Sequence, residues 1–195
     1  MSDEIPLGGG WSTGGVVRVG DTVRRPPEHA SQLMRDVLVH LEDVGFDAAP
    51  RWRGLDEKGR DVLTFIEGET FADTRRLTWS DGQLAAAGAL LRRYHDAVAG
   101  TELAGGSEVV SHGDYGPWNL IWLEGVPRYV IDFDNTRPGP RLEDVGYAVW
   151  KFEIEASPAA FLRGYGLPLN VRDAVDYAKQ RERDRFTQND WPITF

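Results

Sequence analysis

The 195-residue sequence has no cysteine, which excludes disulfides, thiolate metal sites and cysteine nucleophiles. It has only four histidines, with no metal-binding histidine pair and no Gly-x-Ser-x-Gly elbow, so zinc and serine hydrolase chemistry has no support. Cations are scarce as well. Twenty-two Lys and Arg against 31 Asp and Glu leave a net charge of -9. Such a surface repels phosphate backbones, so no nucleic-acid partner is expected, and it leans toward cationic small molecules. No apolar run reaches the roughly 18 residues of a membrane span. Met1-Ser2-Asp3-Glu4 has neither the basic nor the apolar part of a secretory signal. A cytoplasmic protein without a membrane partner is the expectation, and no motif speaks to its oligomeric state.

What is present is enough to fold. Hydrophobic residues make up 41% of the chain and aromatics 11%, with seven tryptophans, which suits one domain or two closely packed lobes. Residues 8–15 form a glycine-rich run without P-loop spacing. Val16 to Val19 and Thr22 to Arg25 read as a hairpin around Gly20-Asp21, ended by Pro26-Pro27. Leu33, Val37, Leu38 and Leu41 recur at helical spacing, which predicts a helix over 31–44 stopped by Gly45. Val62 to Ile66 reads as a buried strand.

The pattern then turns helical. Ser80 or Asp81 is placed to cap a helix over 82–98, with Leu84, Ala87, Leu91 and Tyr94 on one face. Asn119 to Leu123 and Arg128 to Phe133 read as a second hairpin around Glu124-Gly125. Residues 142–152, 159–165 and 171–185 read as helices. The fold class expected is α+β, with a small β-rich N-terminal part over 1–67 and a mainly helical part over 68–195 that carries an inserted hairpin.

The chemistry concentrates in two stretches, Ser111-His112-Gly113-Asp114-Tyr115-Gly116-Pro117-Trp118-Asn119 and Ile131-Asp132-Phe133-Asp134. Hairpin pairing brings Asn119 and Asp132 to one end of the ribbon, with Asp114 nearby. Oxygen donors of this kind suit Mg²⁺. A metal on phosphate oxygens, together with a carboxylate that takes a hydroxyl proton, is the kit of phosphoryl transfer.

His112-Gly113-Asp114, Asn119 five residues after that Asp, and Asp132-Phe133-Asp134 together resemble the catalytic and metal loops of aminoglycoside phosphotransferases and related small-molecule kinases. The resemblance implies a protein-kinase-like fold and an ATP or GTP co-substrate with Mg²⁺. It implies Asp114 as catalytic base, Asn119 and Asp132 as metal and nucleotide ligands, Asp134 as a second contributor at the metal, and His112 as a loop-positioning residue. Asp144 looks like the family's brace for the catalytic loop. Val23-Arg24-Arg25-Pro26 resembles the strand whose cation touches phosphate. Arg24 is the favoured cation, and a one-residue slip exchanges it with Arg25. Of the acids that would pair with it (Glu28, Asp36, Glu42), Asp36 is the choice. By order in the chain, Thr64 to Glu67 takes the place of the connector whose backbone meets adenine, which makes Phe65 and Glu67 candidate nucleotide contacts.

Other residues have plainer readings. His95 packs or caps at the end of its helix, and Trp118 packs under the catalytic loop. Glu143, Glu153 and Glu155 lie on a solvated face, or form an acidic grip for substrate ammonium groups. The activity implied is transfer of a γ-phosphate to a small-molecule hydroxyl, an aminoglycoside-like antibiotic being one acceptor. Choline-, sugar- and homoserine-type kinases share the motifs. The chain is short for this family, so a kinase-like binding or toxin-immunity protein without catalysis is the competing expectation.

Overall fold

The structure is a computed structural model that describes residues 4–7, 15–26, 31–71 and 78–188. Most of the glycine-rich run, together with Pro27 and Glu28, lies outside the described residues. The N-terminal sheet has five antiparallel strands, β1 (Ile5–Pro6), β2 (Val17–Val19), β3 (Thr22–Arg25), β4 (Trp52–Leu55) and β5 (Asp61–Thr64). They lie in the order β1-β2-β3-β5-β4. The expected first hairpin is β2–β3, with Val19 opposite Thr22. The expected strand over 62–66 is β5, one residue earlier at its start and ending at Thr64.

Helix α1 (Gln32–Asp43) follows β3, and the Ser31 hydroxyl caps it by accepting from the Met34 N–H at 3.0 Å. Met34, Val37, Leu38 and Leu41 on its inner face are fully buried. The small-lobe ion pair does not run as expected. It joins Arg35 of α1 to Asp61 of β5 at 2.8 Å, and the Trp52 indole N–H donates to the same carboxylate at 2.7 Å. Asp36 instead accepts from Gln32, and Glu42 meets Arg53. The reason is periodicity: on α1 the charged residue beside the buried Met34 and Leu38 is Arg35, so the helix offers the sheet a cation.

The helical region begins with α2 (Asp81–Val98). Ser80 is its cap, and Ser80 and Gln83 close a reciprocal capping box. Next come β6 (Val109–Ser111), the hairpin β7 (Leu120–Leu123) and β8 (Val126–Val130), and β9 (Arg137–Gly139). Helices α3 (Arg141–Lys151), α4 (Ala159–Tyr165) and α5 (Val171–Gln188) complete the order. The pairing of β6 with β9 ties Ser111 to Arg137, so the two ends of the chemical stretch are clamped by a second small sheet. Three residues containing Pro138 and Gly139 carry no strand period, so the sequence pattern alone does not mark β9. Among the described residues no helix is long and apolar enough to cross a membrane.

Gly146 sets how closely α3 and α5 approach. A Cβ added there would lie 1.9 Å from the Ala174 carbonyl oxygen, a backbone atom that cannot swing aside. Gly146→Ala is expected to push α5 off α3 and to cost about 1–3 kcal/mol, read as a lower urea midpoint.

Candidate active site

The site is built on a buried carboxylate. Asp144, in the first turn of α3 and fully buried, accepts from the His112 N–H at 2.7 Å and the Gly113 N–H at 2.8 Å. His95, near the end of α2, donates its Nε2–H to the same carboxylate at 2.9 Å. The other His95 nitrogen lies 2.9 Å from the Tyr165 hydroxyl on α4. Burial alone would raise the Asp144 carboxyl. The His95 hydrogen bond and charge, with help from His112 and the Gly113 N–H, outweigh it and leave the group below the ordinary carboxylate value. His95 is therefore a structural partner of Asp144, with both ring nitrogens engaged inside the fold.

Asp144 fixes the turn that presents Asp114. Gly113 has φ +77° in this turn, and a Cβ there would lie 2.4 Å from the Asn135 carbonyl oxygen, so only glycine lets the two loops approach this closely. The His112 ring then bridges them. Its Nε2–H donates to the Ile131 carbonyl at 3.0 Å, and its Nδ1 accepts from the Asp114 N–H at 3.3 Å. The imidazole thus spans from the strand end before Asp132 to the backbone of Asp114, which is a positioning geometry.

Asp114 and Asn119 meet directly. The Asn119 side-chain N–H₂ donates to Asp114 Oδ2 and to the Asp114 carbonyl, both at 2.9 Å. On the other side the Tyr147 hydroxyl of α3 donates to Asp114 Oδ1 at 2.5 Å. Burial raises the Asp114 carboxyl above its ordinary value, the Tyr147 and Asn119 hydrogen bonds hold the rise back, and Asp132 adds to it. A raised carboxyl suits a proton acceptor. Tyr147 was not singled out in the sequence reading. Its signal was spacing: it lies three residues after Asp144, on the same helix face.

The β7–β8 ribbon brings Asn119 and Asp132 together as expected. The Ile131 N–H donates to the Asn119 carbonyl at 2.9 Å. Asp132 has φ +65°, a left-handed conformation that aspartate adopts more readily than most residues other than glycine. The cation that reaches it is Arg25, not Arg24. Arg25 is buried at 7% exposure. It donates to Asp132 Oδ1 at 2.9 Å and to Asp134 Oδ1 at 2.7 Å, and it also contacts Asp134 Oδ2. Arg24 points to the other face of β3, against Thr22 and Asp56. The expected one-residue alternation is the cause. Burial pushes the Asp134 carboxyl up, Arg25 opposes this, and the facing Asp132 adds to the rise.

The connector residues lie farther out. The Phe65 N–H is given to the Asp21 carbonyl at 2.8 Å, so it is not available to a base, and the Arg18 guanidinium stacks on the Phe65 ring at 3.7 Å. Glu67 is exposed and pairs with Arg18. The acidic grip does not form as a group. Glu143 is buried against Arg137, and Glu155 meets Lys179. Trp118, which the sequence offers either as packing under the loop or as lining a substrate site, sets its ring against Gly116.

Among the described residues no three acidic or imidazole side chains are grouped to hold a metal. The Asn119 side-chain amide oxygen, Oδ1, and Asp132 Oδ2 take no part in the hydrogen bonds just described. One carboxylate and one amide oxygen fit Mg²⁺, which keeps several waters and takes substrate phosphates to complete its shell.

A five-stranded sheet followed by a helical region with an inserted ribbon has the layout of the protein-kinase-like fold. Residues 101–178 match the family model described as "Phosphotransferase enzyme family", a span that includes Asp114, Asn119, Asp132, Asp134, Asp144 and Tyr147. The trifolitoxin immunity protein of Rhizobium leguminosarum bv. trifolii is 36% identical over 166 residues, 77% of this chain and 62% of that protein. The chain thus spans less than two thirds of that relative. Among solved structures, choline kinase from Streptococcus pneumoniae aligns at TM-score 0.67 and 15% identity, over 99% of this chain and 87% of that one. A spectinomycin phosphotransferase in complex with ADP and spectinomycin aligns at TM-score 0.65 and 12% identity, over 93% of this chain and 79% of that one. At these identities the likeness carries the fold, and the fold is the protein-kinase-like one that the motifs implied.

His95→Ala would leave the Asp144 charge buried with one partner fewer, and should cost about 3–5 kcal/mol. Because the folded Asp144 lies below its unfolded value, its stabilisation is present above the ordinary carboxylate pKa of about 3.9 and lost as pH falls through the folded value. Urea midpoints from neutral pH downward should show this acid loss in the wild type and a smaller one in Asp144→Asn.

Proposed function

We propose that this protein transfers the γ-phosphate of ATP or GTP to a hydroxyl of a small molecule. The observation that carries the reading is that Asp114, Asn119 and Asp132, supplied by two loops, sit at one end of one ribbon, with a phosphotransferase-family match over the same residues. Asp114 is the proton acceptor for the attacking hydroxyl, oriented through Tyr147 and Asn119. His112 and Asp144 hold the loop at the distance this needs. Asn119 and Asp132 are the residues that would hold Mg²⁺. When bound, the ion supplies charge neutralisation at the phosphate oxygens. On this reading residues 1–67 form the nucleotide lobe and 68–195 the catalytic lobe. The remaining Glu67 backbone is the connector's contact for the base, since Phe65 N–H is taken. The acceptor belongs to the class of hydroxyl-bearing small molecules, and the net charge of -9 leans toward a cationic one.

Asp114→Ala should reduce transfer to background in a screen over aminoglycosides, amino alcohols and sugars, while a nucleotide-induced rise in melting temperature persists. Full turnover in that variant with any accepted substrate contradicts the base assignment.

A second reading is favoured by the relative at 36% identity, whose name is that of an immunity protein. On it, the fold protects by binding a toxin and performs no transfer. Expression of Asp114→Ala separates the two. Protection against trifolitoxin lost with the base supports transfer, and protection retained supports sequestration.

A further inference from the structure

We infer that Arg25 is a built-in counter-cation of the metal loop, holding Asp132 and Asp134 in place of a metal ion, so that the site takes its divalent ion only together with a nucleotide. The inference rests on the reading of Asn119 and Asp132 as a metal seat. It starts from charge. Two carboxylates two positions apart, both turned to one buried guanidinium, repel each other and favour a cation between them. In the fold that cation is already present in the chain. The Arg25 guanidinium spans both acids, with Nη1 on Asp134 Oδ1 at 2.7 Å, Nη2 on Asp132 Oδ1 at 2.9 Å and a further contact to Asp134 Oδ2. Both oxygens of Asp134 are taken in a fork-to-fork pair. Asp134 is therefore the anchor of Arg25, and in this arrangement it offers no oxygen to a metal. Asp132 keeps Oδ2 outside these bonds, one residue after the Ile131 N–H that pairs with the Asn119 backbone.

Three features make this a built arrangement. Arg25 comes from β3, 107 residues away from Asp132 in sequence, so the contact joins the N-terminal sheet to the metal loop. Arg25 is buried, and its neighbour across the sheet, Asp61, is spent on Arg35 and Trp52. None of the three acids of α1 competes for it, since Asp36 and Glu42 are engaged elsewhere and Asp43 is exposed. An arginine also suits this place better than a lysine, because only the planar fork can hold two carboxylates at once. A divalent ion arriving alone would meet a seat already neutralised and a neighbouring positive charge. A nucleotide brings phosphates that add ligands for the ion and a second anionic partner for the guanidinium.

The test is Mn²⁺ titration of the full chain, followed by electron paramagnetic resonance of the free ion, for wild type, Arg25→Gln and Arg25→Lys. Without nucleotide, Arg25→Gln should bind Mn²⁺ at least about tenfold more tightly than wild type, because removal of a unit charge a few ångströms from the seat relieves a direct repulsion. Arg25→Lys, which keeps the charge but reaches one acid, should fall between. If Arg25→Gln is too unstable in chelator to titrate, its melting temperature should recover with Mn²⁺ while that of wild type stays unmoved. Equal Mn²⁺ affinity in wild type and Arg25→Gln, or an Arg25→Gln protein that Mn²⁺ does not restore, overturns the counter-cation role. Adding ADP separates this from the metal-seat reading. Wild type that binds Mn²⁺ with ADP keeps the seat whatever Arg25 does. Wild type that binds none with ADP removes both.

Discussion

The arrangement depends on one carboxylate that water never reaches. Asp144 collects two backbone N–H groups from the His112–Gly113 turn and one ring N–H from α2. A buried charge is tolerated only when its oxygens are filled by donors, so the turn has one conformation that satisfies it. That conformation requires glycine at 113 and places Asp114 where Tyr147 and Asn119 can hold its two oxygens. A requirement for hydrogen bonding in the interior thus becomes the geometry that fixes the Asp114 carboxylate.

The same α3 helix provides both the brace and the orienting hydroxyl, at positions 144 and 147. Its own place is set by the close crossing with α5 at Gly146. Packing and chemistry are therefore coupled through a single turn of helix. The loop after β8 is fixed from the opposite direction. His112 bonds the strand end at Ile131, and Arg25 reaches in from the N-terminal sheet to Asp132 and Asp134. The site is held together by contacts from β3, α2, the β7–β8 ribbon and α3, none of which neighbour one another in sequence.

The helices were legible in the sequence because each has a buried stripe at helical spacing, and Ser31 and Ser80 mark two of their starts. The ribbon and its two loops were legible because turn residues and acids bracket apolar runs. The short strands β1, β4 and β9 were not, since two to four residues with Pro or Gly carry no period of their own and are ordered by their partners. Arg24 against Arg25 turned on which face of β3 meets the metal loop, a tertiary fact that alternation alone leaves open. The partner of Arg25 was sought on α1 by likeness, whereas α1 presents Arg35 to Asp61 and leaves Arg25 to the acids of the distant loop. His95 read as a packing residue, and its bond to Asp144 joins two helices that only the folded chain brings together.

The central claim is that Asn119 and Asp132 form one side of a seat for a magnesium nucleotide beside Asp114. A crystal structure of the chain grown with ADP and Mg²⁺ tests it most directly. The account predicts a cation ligated by the Asn119 amide oxygen and Asp132, with the terminal phosphate facing Asp114. Nucleotide bound elsewhere, or a cation that touches neither side chain, would contradict it.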